Sequence, residues 1–230
     1  YSLDLKEVCE NSDLIVLSTP VGVFLEIVKN IRAYLKRGSI IIDVGSVKGR
    51  LVYDLEALVP EGVFYIGTHP IAGSDKSGID DARAGLFEGA RCIITPTERT
   101  DRDSLQRITL LWQMVGCHVE LMDPYKHDQI YGAVSHLPHI VAYSLVNTIG
   151  DIDSEFINYA GQGFKDTTRI ALSSPELWRD IVVYNRENLL RMLDVFKENI
   201  EKIKGLLEKQ DSEAIKEEFQ RARDLRERIR

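Results

Sequence analysis

Five short apolar runs divide the first half of the chain, and their spacing constrains the fold more than any other feature. They are Leu14-Ile15-Val16-Leu17, the Ile40-Ile41-Ile42 run within 39–44, Val63-Phe64-Tyr65-Ile66, Cys92-Ile93-Ile94, and the stretch from Cys117 to Met122. Short continuous runs of this kind suit strands buried on both faces of a sheet. Between them, helical spacing recurs: Val23, Ile27, Ile31 and Leu35 within 21–35, a stretch at about 50–58 ending before Pro60, and another near 101–115. A short helix over 1–10 leads in. Strand and helix therefore alternate from 14 to 122, which predicts a Rossmann-type doubly wound α/β sheet.

Ligands of such sheets meet the carboxyl ends of the strands. Three loops are expected there: Ser18-Thr19-Pro20, Gly45-Ser46-Val47-Lys48, and the run from Gly67 to Gly78 that carries His69. Its glycines allow close backbone approach, and Pro70 is expected to fix a turn in which His69 stands. Thr19 or Ser46 alone would read as a turn or cap residue. Their convergence with His69 makes the three loops a candidate site.

The pattern changes at Asp123-Pro124, a helix cap followed by proline at the first helical position. No strand-like run follows. The expected division is therefore an α/β domain over 1–123 and an all-helical domain over 124–230. One long helix is predicted over 125–149, bent where Pro138 removes a donor from Ser135-His136-Leu137-Pro138-His139. Gly161-Gln162-Gly163 opens a loop running into helix, and Ser174-Pro175 starts another. From about 186, Leu189, Leu193, Phe196, Ile200, Ile203 and Leu207 form an apolar stripe. After Asp211 the tail is mostly charged and reads as a solvated helix.

A net charge of −7 argues against a nucleic-acid-binding face. No run reaches the ~18 apolar residues of a membrane span. Three cysteines beside apolar stretches read as reduced thiols, and a cytoplasmic location is expected. His136 and His139 lack a neighbouring carboxylate or cysteine ligand set, so no metal is expected. His118 and His127 read as structural, and Lys48, Ser74, Asp75 and Lys76 as candidates for the mouth of the site. No G-x-G-x-x-G is present. A chain opening here would leave a sheet edge bare, so a preceding βαβ unit is expected in the whole protein; this chain alone is expected to bind dinucleotide poorly.

Taken together, four motifs resemble the prephenate dehydrogenase family, which includes arogenate-using enzymes. They are Asp43-Val44-Gly45-Ser46-Val47-Lys48, the loop from His69 to Gly78, Ser135-His136-Leu137-Pro138-His139, and Gly161-Gln162-Gly163-Phe164-Lys165-Asp166-Thr167-Thr168-Arg169, with Trp178-Arg179-Asp180 continuing the pattern. The chain departs from it in lacking the nucleotide-binding first unit, and in carrying Ser74-Asp75 where Thr-Glu is expected.

The resemblance implies oxidative decarboxylation of prephenate to 4-hydroxyphenylpyruvate, with hydride passed to NAD (NADP is equally compatible). It assigns His69 as proton acceptor and Ser46 as a second catalytic group that also touches the nicotinamide with Thr19 and Pro20. Substrate contacts are expected from His139, Arg169, Ser74, Asp75 and Trp178, with Asp166 orienting Arg169. The implied partners are a small-molecule substrate, tyrosine as an inhibitor at the active site, and a second copy of the chain packed through the helical domain. An arogenate dehydrogenase, a β-hydroxyacid dehydrogenase and a non-catalytic assembly module are the alternatives.

Overall fold

The computed structural model describes residues 2–72 and 82–229; Ser74, Asp75 and Lys76 lie outside the described residues. Two compact units are formed, Tyr1–Asn188 and Leu189–Arg230.

The first unit is built on a five-stranded sheet in the order β1 (Leu14–Leu17), β2 (Ile40–Asp43), β3 (Phe64–Ile71), β4 (Arg91–Thr95) and β5 (His118–Leu121). β1, β2 and β3 are parallel, and Leu17, Asp43 and Gly67 fall side by side. β4 runs antiparallel to β3, and β5 is parallel to β4, so the sheet is mixed. Strand alternation explains the isoleucine run. Ile41 joins one core with α2 (Phe24–Ile31), α3 (Gly49–Leu58) and Trp178 and Ile181 of α8 (Pro175–Tyr184), whereas Ile40 and Ile42 join another with Ile108 and Trp112 of α4 (Arg102–Met114). A short α1 (Leu5–Glu10) precedes β1.

Two expectations are corrected here. β3 does not stop at Ile66 but continues through His69 and Pro70, because Thr68, His69 and Pro70 pair with Ile94, Ile93 and Cys92 of β4. Pro70 therefore lies in a strand, one residue from its end, where a missing N–H is tolerated. The helix over 125–149 is not continuous either. α5 (Pro124–Tyr131) opens on Asp123, whose Oδ1 accepts from the Lys126 amide at 2.8 Å. A π-helical turn over Gly132–His136 then leads into α6 (Leu137–Ile152). Pro138 has no N–H for an i−4 bond, and the wider turn absorbs the break.

After α6 come a 3-10 segment Ser154–Tyr159, α7 (Gln162–Thr168), a 3-10 turn Arg169–Leu172, and α8, capped by Ser174. α9 (Arg186–Glu208) begins in the first unit and runs through the second. Within the second unit α9 is followed by α10 (Ser212–Arg226), and Lys202 of α9 pairs with Glu218 of α10. None of the described helices is long and apolar enough to cross a membrane.

Candidate active site

The carboxyl end of β2 begins with a charge taken entirely out of water. Asp43 follows three isoleucines, and an isolated buried carboxylate is costly. Lys48 answers it from five residues on: its Nζ donates to Asp43 Oδ1 at 2.5 Å and to the carbonyls of Gly45 and Val47 at 2.8 and 3.1 Å. Both side chains are fully buried. Tyr65 Oη and the Gly45 amide also donate to Asp43, at 2.5 and 2.7 Å. Lys48 therefore does not line the mouth of the site. It ties down the loop that carries Ser46, which stays partly exposed. Gly45 is required there, since a Cβ would stand 2.6 Å from Val21 Cγ1.

His69, two residues past the Gly67–Asp43 register pair, remains partly accessible. Its Nδ1 lies 2.8 Å from Nε2 of His127 on α5, and Nδ1 of His127 lies 2.8 Å from Asp128 Oδ1. Asp128 Oδ1 also accepts from the Lys48 amide at 2.7 Å, and its carbonyl accepts from Asn185 Nδ2 at 2.8 Å. Tyr131, one turn after His127, packs its ring against both imidazoles at centroid distances of 5.1 and 4.6 Å. Burial, followed by the charge of Lys48 and the imidazoles of His127 and His136, holds His69 well below the usual histidine range. Burial lowers His127 too, opposed by its bond to Asp128.

A second pair of histidines comes from the π turn and α6. His136 is buried and accepts on Nδ1 from Asn185 Nδ2 at 3.0 Å, while burial pushes its pKa down to about 4. Its Nε2 feels the Ser46 backbone yet completes no hydrogen bond. His139 donates from Nδ1 to the Ser135 carbonyl at 2.9 Å and stacks on Trp178 with ring centroids 3.4 Å apart. Trp178 is thus largely buried against that imidazole. Burial lowers His139, with the charge of Arg169 adding to the shift. Arg169 itself is exposed, and Asp166 accepts from Gln162 Nε2 at 2.7 Å.

The expected residues thus fall into two groups. His69 shares the rim of β2 and β3 with Ser46, and Arg169 lies near enough to His139 for its charge to be felt there. Between them run His127, Asp128, His136 and Asn185, of which the sequence reading had singled out only His136 and His127 and given neither a role. The available signal was the i, i+4 spacing of His127 and Tyr131, which sets both on one helix face beside an acidic residue. Thr19 and Pro20, after β1, are exposed beside this rim. A cavity of about 510 Å³ opens at the same end, lined by Ile71, Ala90, Arg91, His118 and Tyr131.

The prephenate dehydrogenase nucleotide-binding domain matches residues 3–121, and the prephenate dehydrogenase dimerization domain matches residues 123–221. The chain is 35% identical over 217 residues to a prephenate dehydrogenase of Bacillus subtilis, covering 93% of this chain but 58% of that protein. It is 30% identical to a cyclohexadienyl dehydrogenase of Zymomonas mobilis, covering 97% of this chain and 77% of the other. The crystal structure of prephenate dehydrogenase from A. aeolicus, in complex with hydroxyphenyl propionate and NAD+, superposes with a TM-score of 0.93 at 38% identity, over 100% of this chain and 81% of that one. With both domains matched in order along nearly its whole length, the chain belongs to the prephenate dehydrogenase family.

Proposed function

We propose that this chain forms the substrate-processing part of an NAD(P)-dependent dehydrogenase that converts prephenate to 4-hydroxyphenylpyruvate and carbon dioxide. The single observation that carries the reading is His69: a neutral, partly accessible imidazole near the end of β3, on the strand paired with the one that leads to Ser46, and held from behind by a second imidazole. We further propose that the boundary at 123/124 separates cofactor-binding and substrate-binding roles.

A dinucleotide fits what the rim offers. Thr19, Pro20 and Ser46 stand at adjacent strand ends, and the buried Nε2 of His136, left without a hydrogen-bond partner beside Ser46, can serve a polar group placed there. When bound, the oxidised nicotinamide accepts the hydride. His69 takes the proton of the ring hydroxyl as hydride leaves the carbon bearing it, and Ser46 orients that hydroxyl. Loss of carbon dioxide then makes the ring aromatic, and the resulting phenolate takes the proton back. Arg169, with His139 near it, would hold a substrate carboxylate, since a guanidinium pairs with carboxylate in a planar fork. Asp166 supports Arg169 from the same helical turn, and Trp178 is the wall against which His139 is set.

The A. aeolicus relative supports this reading, because it was crystallised with hydroxyphenyl propionate, a phenolic carboxylate, and NAD+ together. The helical segment is proposed to join two copies of the chain. Tyrosine, a phenolic amino acid, is expected at this same site, as competition with prephenate in steady-state kinetics.

Replacing His69 with Asn in the whole protein tests the assignment. With prephenate and NAD+, kcat is expected to fall by about 10²–10⁴-fold while circular dichroism stays unchanged, the loss expected when a positioned base is removed. Unchanged turnover would end the role of His69 as proton acceptor.

A further inference from the structure

We propose that His127 and Asp128 form a relay that fixes the tautomer of His69 and shares the proton it takes up, an inference that rests on His69 being the proton acceptor. The assignment follows from counting donors. A carboxylate oxygen only accepts, so Asp128 Oδ1, 2.8 Å from His127 Nδ1, requires that nitrogen to carry the hydrogen. Asp128 is itself fixed, accepting from the Lys48 amide at 2.7 Å. A neutral His127 then has its lone pair on Nε2, 2.8 Å from His69 Nδ1. His69 Nδ1 must donate into it. The remaining nitrogen of His69, Nε2, is left with its lone pair and is the atom that receives a proton.

The reverse arrangement fails at the far end. Were His69 to accept at Nδ1, His127 would have to carry hydrogen on Nε2, and its Nδ1 lone pair would face the carboxylate at 2.8 Å. Neither imidazole can be turned over freely, because Tyr131 packs on both rings and His127 has no exposed surface.

The proton transfer balances within the site. The O–H bond of the ring hydroxyl breaks as the Nε2–H bond of His69 forms, and the hydroxyl's electron pair becomes the carbonyl bond as hydride departs. The hydrogen on His69 Nδ1 can then move to His127 Nε2, placing the positive charge one ring nearer Asp128. The titratable groups that His69 meets are the cation of Lys48, from the loop after β2, and the neutral imidazoles of His127 and His136 from the helical side. None of these supplies the negative charge that a protonated His69 needs; the His127–Asp128 pair does.

The test is a two-bond proton–nitrogen NMR spectrum of the protein labelled with nitrogen-15 in histidine. His69 is expected as the Nδ1–H tautomer, moving toward Nε2–H in Asp128→Leu, which removes the acceptor that holds the hydrogen on His127 Nδ1. His69 found as Nε2–H in the unmodified protein overturns the relay, whatever reaction the protein performs. His69 found as Nδ1–H without prephenate turnover upholds the relay and refutes the reaction instead. In kinetics, Asp128→Asn, which keeps the acceptor for His127 but removes its charge, is expected to lower kcat about 10²-fold with KM held, the scale of a weakened proton acceptor. His127→Gln, whose amide oxygen still accepts from His69, is expected to retain more activity than His127→Leu. Equal loss in the two overturns the relay.

Discussion

Lys48→Met is the sharpest test of how the rim is built. In the folded protein the ammonium donates to three oxygens, Asp43 Oδ1 at 2.5 Å and the Gly45 and Val47 carbonyls at 2.8 and 3.1 Å. Removing one member of a buried pair leaves the other charge uncompensated and typically costs about 3–5 kcal/mol. Asp43 keeps two donors, the Gly45 amide at 2.7 Å and Tyr65 Oη at 2.5 Å, which places this case near about 3 kcal/mol. For a chain of this size that corresponds to a fall in Tm of about 6–12 °C, at roughly 2–4 °C per kcal/mol. Thermal unfolding followed by circular dichroism reads it directly. Adding Asp43→Leu should restore part of the loss, since an apolar pair of similar volume replaces the ions without a stranded charge. A shift below about 2 °C for Lys48→Met alone, or strict additivity in the double variant, would refute the idea that this pair holds the Ser46 loop.

Stability should also fall on mild acidification. A histidine whose folded pKa is depressed leaves the folded chain binding fewer protons than the unfolded one, so its contribution is intact above about 6.5 and is lost as pH falls through the folded value. For His136, at about 4, this amounts to about 3 kcal/mol between those limits; His69 and His127 add in the same direction, while Glu56, raised by burial, opposes over the lower part of the window. Urea unfolding at a series of pH values checks this, and a flat profile, or one unchanged in His136→Gln, contradicts it. The proposed pairing of two chains predicts a dimer mass by light scattering at micromolar concentration. Leu190, Val195, Ile200 and Leu207 expose apolar surface along α9, and a stable monomer would remove that proposal.

The central strands were legible because strands buried on both faces are continuously apolar, as Ile40, Ile41 and Ile42 are, whereas β1 and β5 are largely exposed among the described residues. How far β3 runs was not, because the length of a strand is decided by its neighbour. Nothing local in Gly67-Thr68-His69-Pro70 reveals that Ile93 and Cys92 will pair with it. Asp123 and Pro124 marked a helix start through local chemistry alone, and the cap formed as read. Pro138 announced a break but not its form, since a kink and a π turn are equal answers to one missing donor. Lys48 was misplaced at the mouth because a lysine in a Gly-rich loop reads as solvent-facing; Asp43 at the end of an apolar strand was the overlooked signal that a buried cation was needed. His127 was passed over because its role exists only across the chain, where a helix 58 residues later meets a strand end.

The formal charges of this corner leave room for one added proton. Lys48 is the cation, Asp43 and Asp128 are the carboxylates, and burial keeps His69, His127 and His136 uncharged. The formal charge of the resting cluster is therefore minus one. Burial alone would make His69 too weak a base to hold a proton, and Lys48 worsens this. Asp128 acts in the other direction on His127, the ring to which His69 is bonded. A proton taken at His69 brings the cluster to neutrality, and the path through His127 carries that charge toward the carboxylate rather than toward Lys48. An imidazole that stays neutral when empty yet can be protonated for one step is what abstraction from a hydroxyl requires. That balance comes from one histidine on a strand, an aspartate–histidine pair on the first helix past the sheet, and a lysine buried beneath both.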